Sequence, residues 1–364
     1  MNIYLENIKL SEQKAGGVTG YWYELVKRLL KSHKDTYVVE HKSASSINLY
    51  RSQLNIDKSR IIHEAQIPVK ILRYLPIAAK MEEQSLLHSG YYRVSLRKNV
   101  VNIITVYDFI YEYYRKGLPR LVHSLQKDFA IARADGIICI SHNTKKDLLK
   151  FHPTIDEKKV KVICLGVSED FHPIEDKEKS SEDWGDITKE QFILYVGGRK
   201  GYKNFNIAVD AVHKMDNFKL VFVGGGPLSV EERAVLTGKL KNRYQHVTGV
   251  DNVKLNFLYN HAFCLIYPSS YEGFGIPILE AMRAGCPVIT TNLSSIPEVC
   301  GNAGLMVNNL DPNEIILKLR LLADDLFRLN VIKLGFEQSK KFSWDTTFRE
   351  TLDFYHEIYR KTIK

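Results

Sequence analysis

The sequence has few cysteines and no long apolar run. Its 364 residues contain five scattered cysteines, none at a zinc-type or CxxC spacing: Cys139, Cys164, Cys264, Cys286 and Cys300. This excludes a disulfide framework or a zinc finger and is typical of a reducing cytosol. No stretch approaches the roughly 18 apolar residues of a membrane-spanning helix. The opening MNIYLENIKL lacks a basic stretch followed by an apolar run, so we expect no signal peptide and a cytoplasmic location.

Several catalytic motifs are also missing. There is no Asp-x-Asp, no G-x-x-x-x-G-K-[ST] and no G-x-S-x-G. These absences argue against a metal-bridged diphosphate site of the usual type, a P-loop and an α/β-hydrolase nucleophile. The glycine-rich stretches KAGGVTGY and KLVFVGGGP are not intact G-x-G-x-x-G fingerprints, so a nicotinamide site is poorly supported and both also suit simple tight turns. We therefore expect no cofactor and no metal.

The positive charge is concentrated in the first half of the chain. Residues 1–167 hold 27 Lys and Arg against 16 Asp and Glu, whereas the remainder holds 24 against 26, within a net charge of +9. This distribution suits an anionic partner, such as a membrane surface or a phosphate-bearing acceptor, or an ordinary basic surface. A nucleic-acid partner is not expected, because interleaved basic and aromatic motifs are absent.

Short apolar runs alternate with helical patterns along the whole chain. The runs VVNIITVYDF, ADGIICIS, KVKVICLG, FILYVGG, KLVFVGGG, AFCLIYPS and PVITTN are typical of buried parallel strands. Such alternation predicts an α/β protein with doubly wound sheets. A polar, charge-dense stretch in the middle predicts a linker. We expect a first domain over residues 1–170, a linker over 171–190, a second domain over 191–342 and a C-terminal helix over 343–364.

The strongest chemical signal lies in residues 267–304, YPSSYEGFGIPILEAMRAGCPVITTNLSSIPEVCGNAG. A buried strand is followed by a glycine-rich turn, and Pro277 then begins a helix. Turns at the carboxyl ends of such strands bind ligands, and a helix start offers N–H groups to a phosphate. Glu272 and Glu280 are suited to accept hydrogen bonds from sugar or ribose hydroxyls. Glu272 alone also fits a charge favoured by the helix dipole.

A basic loop follows an earlier strand in LYVGGRKGYKNF, residues 194–205. Arg199, Lys200 and Lys203 come directly after Gly197 and Gly198, at the carboxyl end of the strand. Three cations within five residues suit a diphosphate. A solvated basic loop is the alternative, and its position in the same domain as the Glu272 turn favours the diphosphate.

These motifs resemble glycosyltransferase family 4, the retaining enzymes of GT-B fold. Glu272 and Glu280 match the family's E-x7-E signature, and the flanking EGFGIPILEAM, GCPVI and IPEV also fit. The resemblance implies two Rossmann-like domains facing across a cleft, the second holding a nucleotide-sugar donor. It implies catalytic roles for Glu272, Arg199 and Lys203, with Arg199 and Lys203 one residue closer than is usual. The donor-binding residues it implies are Gly198, Asn204, Gly225, Val250, Gly273, Phe274, Gly275, Ile276 and Glu280.

The first half resembles the family's acceptor domain more loosely, through KAGGVTGY, HSGYYR, TVYDFIYE and ADGIICISHNTKKDLL. Many relatives carry His-Asp where this sequence has Tyr107-Asp108. The acceptor-side residues implied are Gly16, Gly17, His88, Tyr91, Arg93, Tyr107, Asp108 and Ser141.

The resemblance predicts a metal-independent retaining hexosyltransferase of bacterial surface polysaccharide assembly, such as O-antigen. A mannose-like GDP-sugar donor and a saccharide or lipid-linked acceptor are favoured. Alternatives are a UDP-sugar transferase, a GT-B sugar-nucleotide epimerase and a non-catalytic glycan-binding scaffold.

One further segment, QIPVKILRYLP at residues 66–76, mixes Lys70 and Arg73 with apolar side chains. It is either a shallow contact with an anionic membrane or a buried loop or strand. With the basic first half, it makes a peripheral position on the inner face of the cytoplasmic membrane one of our expectations.

Overall fold

The computed structural model describes residues 1–44, 48–175, 187, 190–199 and 201–363. The chain divides into two compact units. Unit 1 is Met1–Gly166 together with the C-terminal segment from Trp344, and unit 2 is Val167–Ser343. Most of the expected linker, residues 171–190, and Lys200 of the basic loop lie outside the described residues.

Unit 1 is built on a seven-stranded sheet in which all pairings are parallel. Its order is β3-β2-β1-β4-β5-β6-β7. The strands are β1 Asn2–Glu6, β2 Thr36–Glu40, β3 Ile61–His63, β4 Ser85–Ser89, β5 Val100–Val106, β6 Gly136–Cys139 and β7 Val160–Val162. The strands β4, β5 and β6 are buried along their whole length. This burial explains the mainly apolar sequences of β5 and β6, whereas β4, with the sequence SLLHS, buries two serines and a histidine.

Helices connect these strands, as a parallel sheet requires. They are α1 Ile8–Glu12, α2 Gly17–Ser32, α3 Leu49–Gln53, α4 Val69–Leu72, α5 Ile110–Tyr114, α6 Gly117–Arg133 and α7 His142–Phe151. In α2, Trp22, Leu25 and Leu29 are fully buried at helical spacing.

The C-terminal helix belongs to unit 1, although it follows unit 2 in sequence. Numbered in chain order it is α15, Trp344–Thr362. It packs against Gly136 of β6, where a Cβ would lie 2.9 Å from Ile358 and 3.1 Å from Phe354. Arg28 of α2 donates to Asp345 at 2.6 Å. Only a glycine at residue 136 lets the helix approach the strand so closely.

Unit 2 is built on a six-stranded, entirely parallel sheet of order β10-β9-β8-β11-β12-β13. Its strands are β8 Phe192–Val196, β9 Lys219–Val223, β10 Tyr244–Val247, β11 Cys264–Tyr267, β12 Val288–Thr291 and β13 Gly304–Val307. Its helices are α8 Phe205–His213, α9 Val230–Leu240, α10 Asn252–His261, α11 Ile276–Arg283, α12 Ile296–Cys300, α13 Pro312–Leu321 and α14 Asp325–Ser339.

The core of unit 2 lies between the sheet and its helices. Phe205, Phe222 and Ile266 are among its buried members. The prediction of doubly wound α/β structure is confirmed in both units. In the part of the chain that the structure describes, no helix combines the length and the apolar character needed to cross a bilayer.

Candidate functional site

The site predicted in unit 2 lies where the order of its sheet reverses. Strand β8 pairs with β9 on one side and with β11 on the other. Chain connections therefore leave β8 and β11 in opposite directions, which opens a crevice at their carboxyl ends. The loops that follow these strands, residues 197–204 and 268–275, are the two that carry the predicted site residues.

Lys203 and Glu272 meet between these loops. The Lys203 Nζ donates to Glu272 Oε1 at 2.6 Å and to the Tyr267 hydroxyl at 3.3 Å. Glu272 is only 7% exposed, so the ion pair is shielded from bulk water and stronger than a surface pair. The structure thus brings together two of the three predicted catalytic side chains, 69 residues apart in sequence.

Asn204 fixes the basic loop to the Glu272 loop. Its side-chain amide donates to the Pro268 carbonyl at 2.9 Å and to Ser270 Oγ at 2.6 Å, and Ser270 N donates to the Tyr202 carbonyl at 2.7 Å. Asn204 itself has φ of 49°, a left-handed conformation that asparagine tolerates. Asn204, predicted as a donor-binding residue, therefore also holds the two loops together.

Two serines hold the backbone of the glycine-rich turn. Ser294 Oγ accepts from Glu272 N at 3.1 Å and donates to its carbonyl at 2.6 Å. Ser295 Oγ lies 2.9 Å from the carbonyls of Glu272 and Phe274. Both serines stand in the stretch NLSSIPEV, but nothing in the local sequence predicted their contacts with the turn. Their hydrogen bonds to the backbone of Glu272 and Phe274 fix the shape of the turn.

The turn leads into α11 through Gly275, whose φ of 112° requires glycine. Gly273 and Phe274 are buried, and the Phe274 ring packs against Phe342 at 5.7 Å. Ile276 is the first residue of the helix, and Pro277 follows in its first turn. The predicted sugar-binding amides therefore lie at the N-terminal end of α11, where the helix dipole favours an anion.

Glu280 lies on α11 and contacts Tyr259 of α10. The Tyr259 hydroxyl donates to Glu280 Oε2 at 3.0 Å. Burial raises the pKa of the Glu280 carboxyl to about 7, and the hydrogen bond from Tyr259 partly opposes that rise. A carboxyl that titrates near neutrality is unusual, and such groups are concentrated at functional sites.

Arg199, the third predicted catalytic residue, is held by other groups. Its guanidinium bonds Glu232 of α9 at 3.1–3.2 Å, and its Nη2 donates to the carbonyls of Gly226 and Pro227 at 3.0 Å. Gly225 has φ of 77°, and a Cβ there would lie 2.9 Å from Arg199 Cζ. Gly225 is thus required by the guanidinium itself, and Arg199 is 8% exposed.

Glu232 was not anticipated as a partner of Arg199. It also closes a capping box with Ser229 at the start of α9, a signature visible in the sequence as Ser-x-x-Glu. Of the remaining predicted donor residues, Gly198 follows β8 with open space around its Cα, and Val250 follows β10, half-buried, after Gly249 with φ of 68°.

Four predicted acceptor-side residues are buried inside unit 1. His88 Nε2 contacts Thr105 at 2.9 Å and its Nδ1 contacts the Tyr355 hydroxyl, while burial lowers the pKa of His88 to about 3. Arg93 bonds Glu6 at 2.7 Å and Glu64 at 2.7 and 2.8 Å. These contacts give both side chains a structural role inside unit 1, and their expected contact with an acceptor stays a prediction.

Tyr107 and Ser141 are also accounted for within unit 1. The Tyr107 hydroxyl donates to the Gly90 carbonyl at 3.1 Å, and Ser141 caps α7 by accepting from Thr144 N at 3.0 Å. Their side chains are at most 4% exposed. The other four predicted acceptor-side residues lie nearer the surface and are better placed to contact an acceptor: Gly16, Gly17, Tyr91 and Asp108.

Tyr91 lies in a polar group that sequence reasoning missed. Its hydroxyl is 2.8 Å from His123 Nε2, and Lys9 Nζ lies 3.9 Å from the centre of its ring. Arg73 stacks on the same ring at 5.2 Å. Burial lowers the pKa of His123 to about 4, so the imidazole is neutral at physiological pH. The only sequence signal was the clustering of aromatic and basic residues.

Two family models match the chain. One, described as Glycosyltransferase Family 4, matches residues 15–171, and the other, Glycosyl transferases group 1, matches residues 176–335. Among curated relatives, O-antigen chain mannosyltransferase B of Escherichia coli is 34% identical over a region that covers 45% of each chain. O-antigen chain mannosyltransferase RfbU of Salmonella typhimurium is 28% identical over 73% of this chain and 74% of that one.

Solved structures share the fold over the whole chain. Sucrose-phosphate synthase of Thermosynechococcus elongatus matches with a TM-score of 0.76 at 19% identity, over 99% of this chain and 100% of that one. HepE of Anabaena, solved in complex with UDP-glucose, also gives 0.76 at 13% identity, over 98% and 100%. The predicted GT-B class, with its two Rossmann-like units, is confirmed.

Proposed function

The chain belongs to glycosyltransferase family 4, and on that premise we propose that it is a retaining mannosyltransferase of surface polysaccharide assembly that uses a GDP-sugar. The family match covers both units, whereas the aligned region spans less than half of mannosyltransferase B. The donor, the stereochemistry and the acceptor are therefore parts of the proposal. The relatives named for mannosyl transfer to O-antigen support it.

The observation that carries the proposal is the Lys203–Glu272 pair at the reversal point of the unit 2 sheet. A leaving diphosphate needs positive charge, and Lys203 and the N-terminal end of α11 supply it. A sugar needs acceptors for its hydroxyl groups, and Glu272 supplies a carboxylate beside the same helix end. In this proposal Glu280, about one turn into α11, accepts hydrogen bonds from the ribose of the donor.

The proposed reaction needs no base from the protein. The acceptor hydroxyl attacks the anomeric carbon on the face that the diphosphate leaves, and the departing phosphate oxygen takes its proton. Lys203 stabilises the growing negative charge on that oxygen. Glu272 holds the sugar as positive charge develops at the anomeric carbon, so its carboxylate also stabilises the transition state.

One thermal-shift experiment tests both metal independence and the identity of the donor's nucleobase. We expect GDP and GDP-mannose to raise the melting temperature more than UDP, dTDP or ADP and their sugar conjugates, in the presence of EDTA. A ligand at ~100 times its Kd adds about 2.7 kcal/mol to the free energy of unfolding. If only UDP compounds raise the melting temperature, the donor is a UDP-sugar and the proposed GDP-sugar is wrong. If the melting temperature rises only when a divalent metal is present, the site is not metal-independent.

Product analysis tests the reaction class. NMR of the product formed from GDP-mannose and a mannosyl acceptor should show an α-linkage, the configuration of the donor. A β-linked product would refute retention. Conversion of the nucleotide-sugar to its 2-epimer would instead indicate an epimerase, and donor binding without turnover on any saccharide or lipid-linked acceptor would indicate a binding scaffold.

A further inference from the structure

Helix α6, Gly117–Arg133, carries an apolar stripe on its outer face. Five of its side chains are 37–70% exposed: Leu118, Leu121, Val122, Leu125 and Phe129. At about 100° per residue they fall within an arc of roughly 100°. The opposite face of α6 is buried in unit 1 through His123, Lys127, Ala130 and Ile131. The outer stripe is therefore not needed to fold unit 1.

The stripe continues onto the segment that contains α4. Ile71, Tyr74 and Leu75 are 54%, 47% and 39% exposed. A groove of about 300 Å³ lies between Tyr74–Pro76 and the α6 residues Val122, Leu125 and Phe129, with Tyr92–Val94 as its floor. The side-chain amide of Gln126 donates to the Arg73 carbonyl at 2.5 Å and ties the two segments together. We call the eight exposed apolar residues the α4–α6 surface.

Exposed basic side chains occur beside α4 and at both ends of α6. They are Lys70, Arg115, Lys116 and Arg133, and the Arg133 guanidinium lies 5.8 Å from the Phe129 ring. Residues 110–133 contain only two carboxylates, Glu112 and Asp128, and Glu112 is paired with buried Lys127 at 2.9 Å. An apolar stripe bordered by Lys and Arg is the pattern of a helix that lies in the interface of an anionic bilayer.

We propose that the α4–α6 surface docks unit 1 onto an anionic lipid bilayer, with the α6 stripe at the level of the acyl chains and the basic residues at the phosphate headgroups. Face-to-face docking of a second copy of this chain would bring like charges together beside the stripe, which is unfavourable. The bilayer accounts for both the apolar stripe and the positive charge beside it. The groove adds apolar walls on which an acyl chain can pack.

The proposal is tested with the full chain and sedimented vesicles. Wild-type protein should sediment with vesicles of phosphatidylglycerol and phosphatidylethanolamine and much less with phosphatidylcholine. The double variant Leu121→Gln/Leu125→Gln should bind at least about tenfold more weakly, because it removes apolar area from the interface. Arg115→Gln/Lys116→Gln should lose about fivefold per charge, and raised salt should weaken the wild type but not this variant to the same degree.

Matched controls come from unit 2. Leu326 and Leu329 on α14 are 80% and 62% exposed, so Leu326→Gln/Leu329→Gln removes similar side chains elsewhere. Arg320→Gln/Lys333→Gln removes two exposed charges elsewhere. Both controls should bind vesicles like the wild type. All variants should keep the wild-type melting temperature, because the altered side chains are exposed.

A Phe129→Trp probe reports depth directly. Its fluorescence should shift to the blue and be quenched by brominated lipid in anionic vesicles. No retention of the wild type by anionic vesicles would overturn the proposal, as would undiminished retention of both the Leu121→Gln/Leu125→Gln and the Arg115→Gln/Lys116→Gln variants. A dimer in light scattering that Leu121→Gln/Leu125→Gln dissolves, with no lipid binding, would assign the surface to a second copy instead.

Discussion

The pKa of Glu280 makes a sharp prediction about donor binding. Ribose hydroxyls donate hydrogen bonds, so the donor prefers the ionised form of the carboxylate. With a pKa of about 7 in the free protein, about nine-tenths of Glu280 is ionised at pH 8 and about one-tenth at pH 6. The Kd of the nucleotide-sugar should therefore be about tenfold weaker at pH 6 than at pH 8.

The assay is isothermal titration calorimetry across this range. The titrant should be a nucleotide-sugar and not a nucleoside diphosphate. The diphosphate of a nucleotide-sugar is a diester with no proton to lose near neutrality, so it does not contribute to the measured pH dependence. Titrations in two buffers of different ionisation enthalpy should show that binding releases a proton near pH 7. In Glu280→Gln both the pH dependence and the proton release should disappear. Affinity that is flat from pH 6 to 8 in the wild type, or that varies equally in Glu280→Gln, would refute the assignment.

The same carboxyl fixes the sign of a stability effect. Its pKa is raised on folding, so the folded state favours the protonated form. The contribution of Glu280 to the free energy of unfolding is fully present below the pKa of the unfolded state, near 4.5. It is lost as the pH rises through the pKa of the folded state, about 7. Above pH 7 the penalty is of order 3 kcal/mol. Glu280→Gln should therefore raise the melting temperature at pH 8 and leave it nearly unchanged at pH 4.5.

Three other variants test the remaining charged contacts. Glu272→Gln should lower kcat by roughly 10² or more while GDP still binds, and unchanged turnover in a steady-state assay would remove Glu272 from the mechanism. Glu232→Gln keeps a residue suited to the capping box but removes the negative charge that neutralises Arg199, so GDP should bind up to about tenfold more tightly in calorimetry. Weaker binding would mean that the Glu232 carboxylate holds Arg199 in its working position. Arg93→Met leaves two buried carboxylates without their partner and should cost about 3–5 kcal/mol in urea denaturation, whereas a wild-type midpoint would contradict a structural role.

The sequence predicted β5, β6, β8, β9, β11 and β12 because their burial leaves apolar runs. The buried strand β4 was missed because its serines and histidine leave no such run. FILYVGG, KLVFVGGG and AFCLIYPS are β8, β9 and β11 with the turns that follow them. The edge strands β3, β10 and β13 left no such run, because most of their residues are only partly buried. Periodicity alone does not separate a short, half-polar strand from a loop.

The site was predictable up to the loops but not to the partners of each side chain. A glycine-rich turn after a strand marks a ligand edge, and the sheet order places the Lys203 and Glu272 loops side by side. Nothing local indicates that Arg199 pairs with Glu232, 33 residues away, or that Arg93 pairs with Glu6, 87 residues away. Such pairings depend on how the chain packs, so the charged residues of a motif look equally available in a sequence.

The two described cations of the basic loop are already paired, and this bears on how a nucleotide-sugar would bind there. Lys203 is paired with Glu272 and Arg199 with Glu232, so both described cations of the basic loop already have a carboxylate. To pair with Lys203 and Arg199, a diphosphate must therefore displace the Glu272 and Glu232 carboxylates from them. For Lys203 the exchange is productive, since its departure leaves the Glu272 carboxylate free to accept sugar hydroxyls. A nucleoside diphosphate without a sugar leaves Glu272 buried and unpaired, which is costly. We therefore expect a complete nucleotide-sugar to bind more tightly than the nucleoside diphosphate alone, and Glu272→Gln should reduce that difference in Kd.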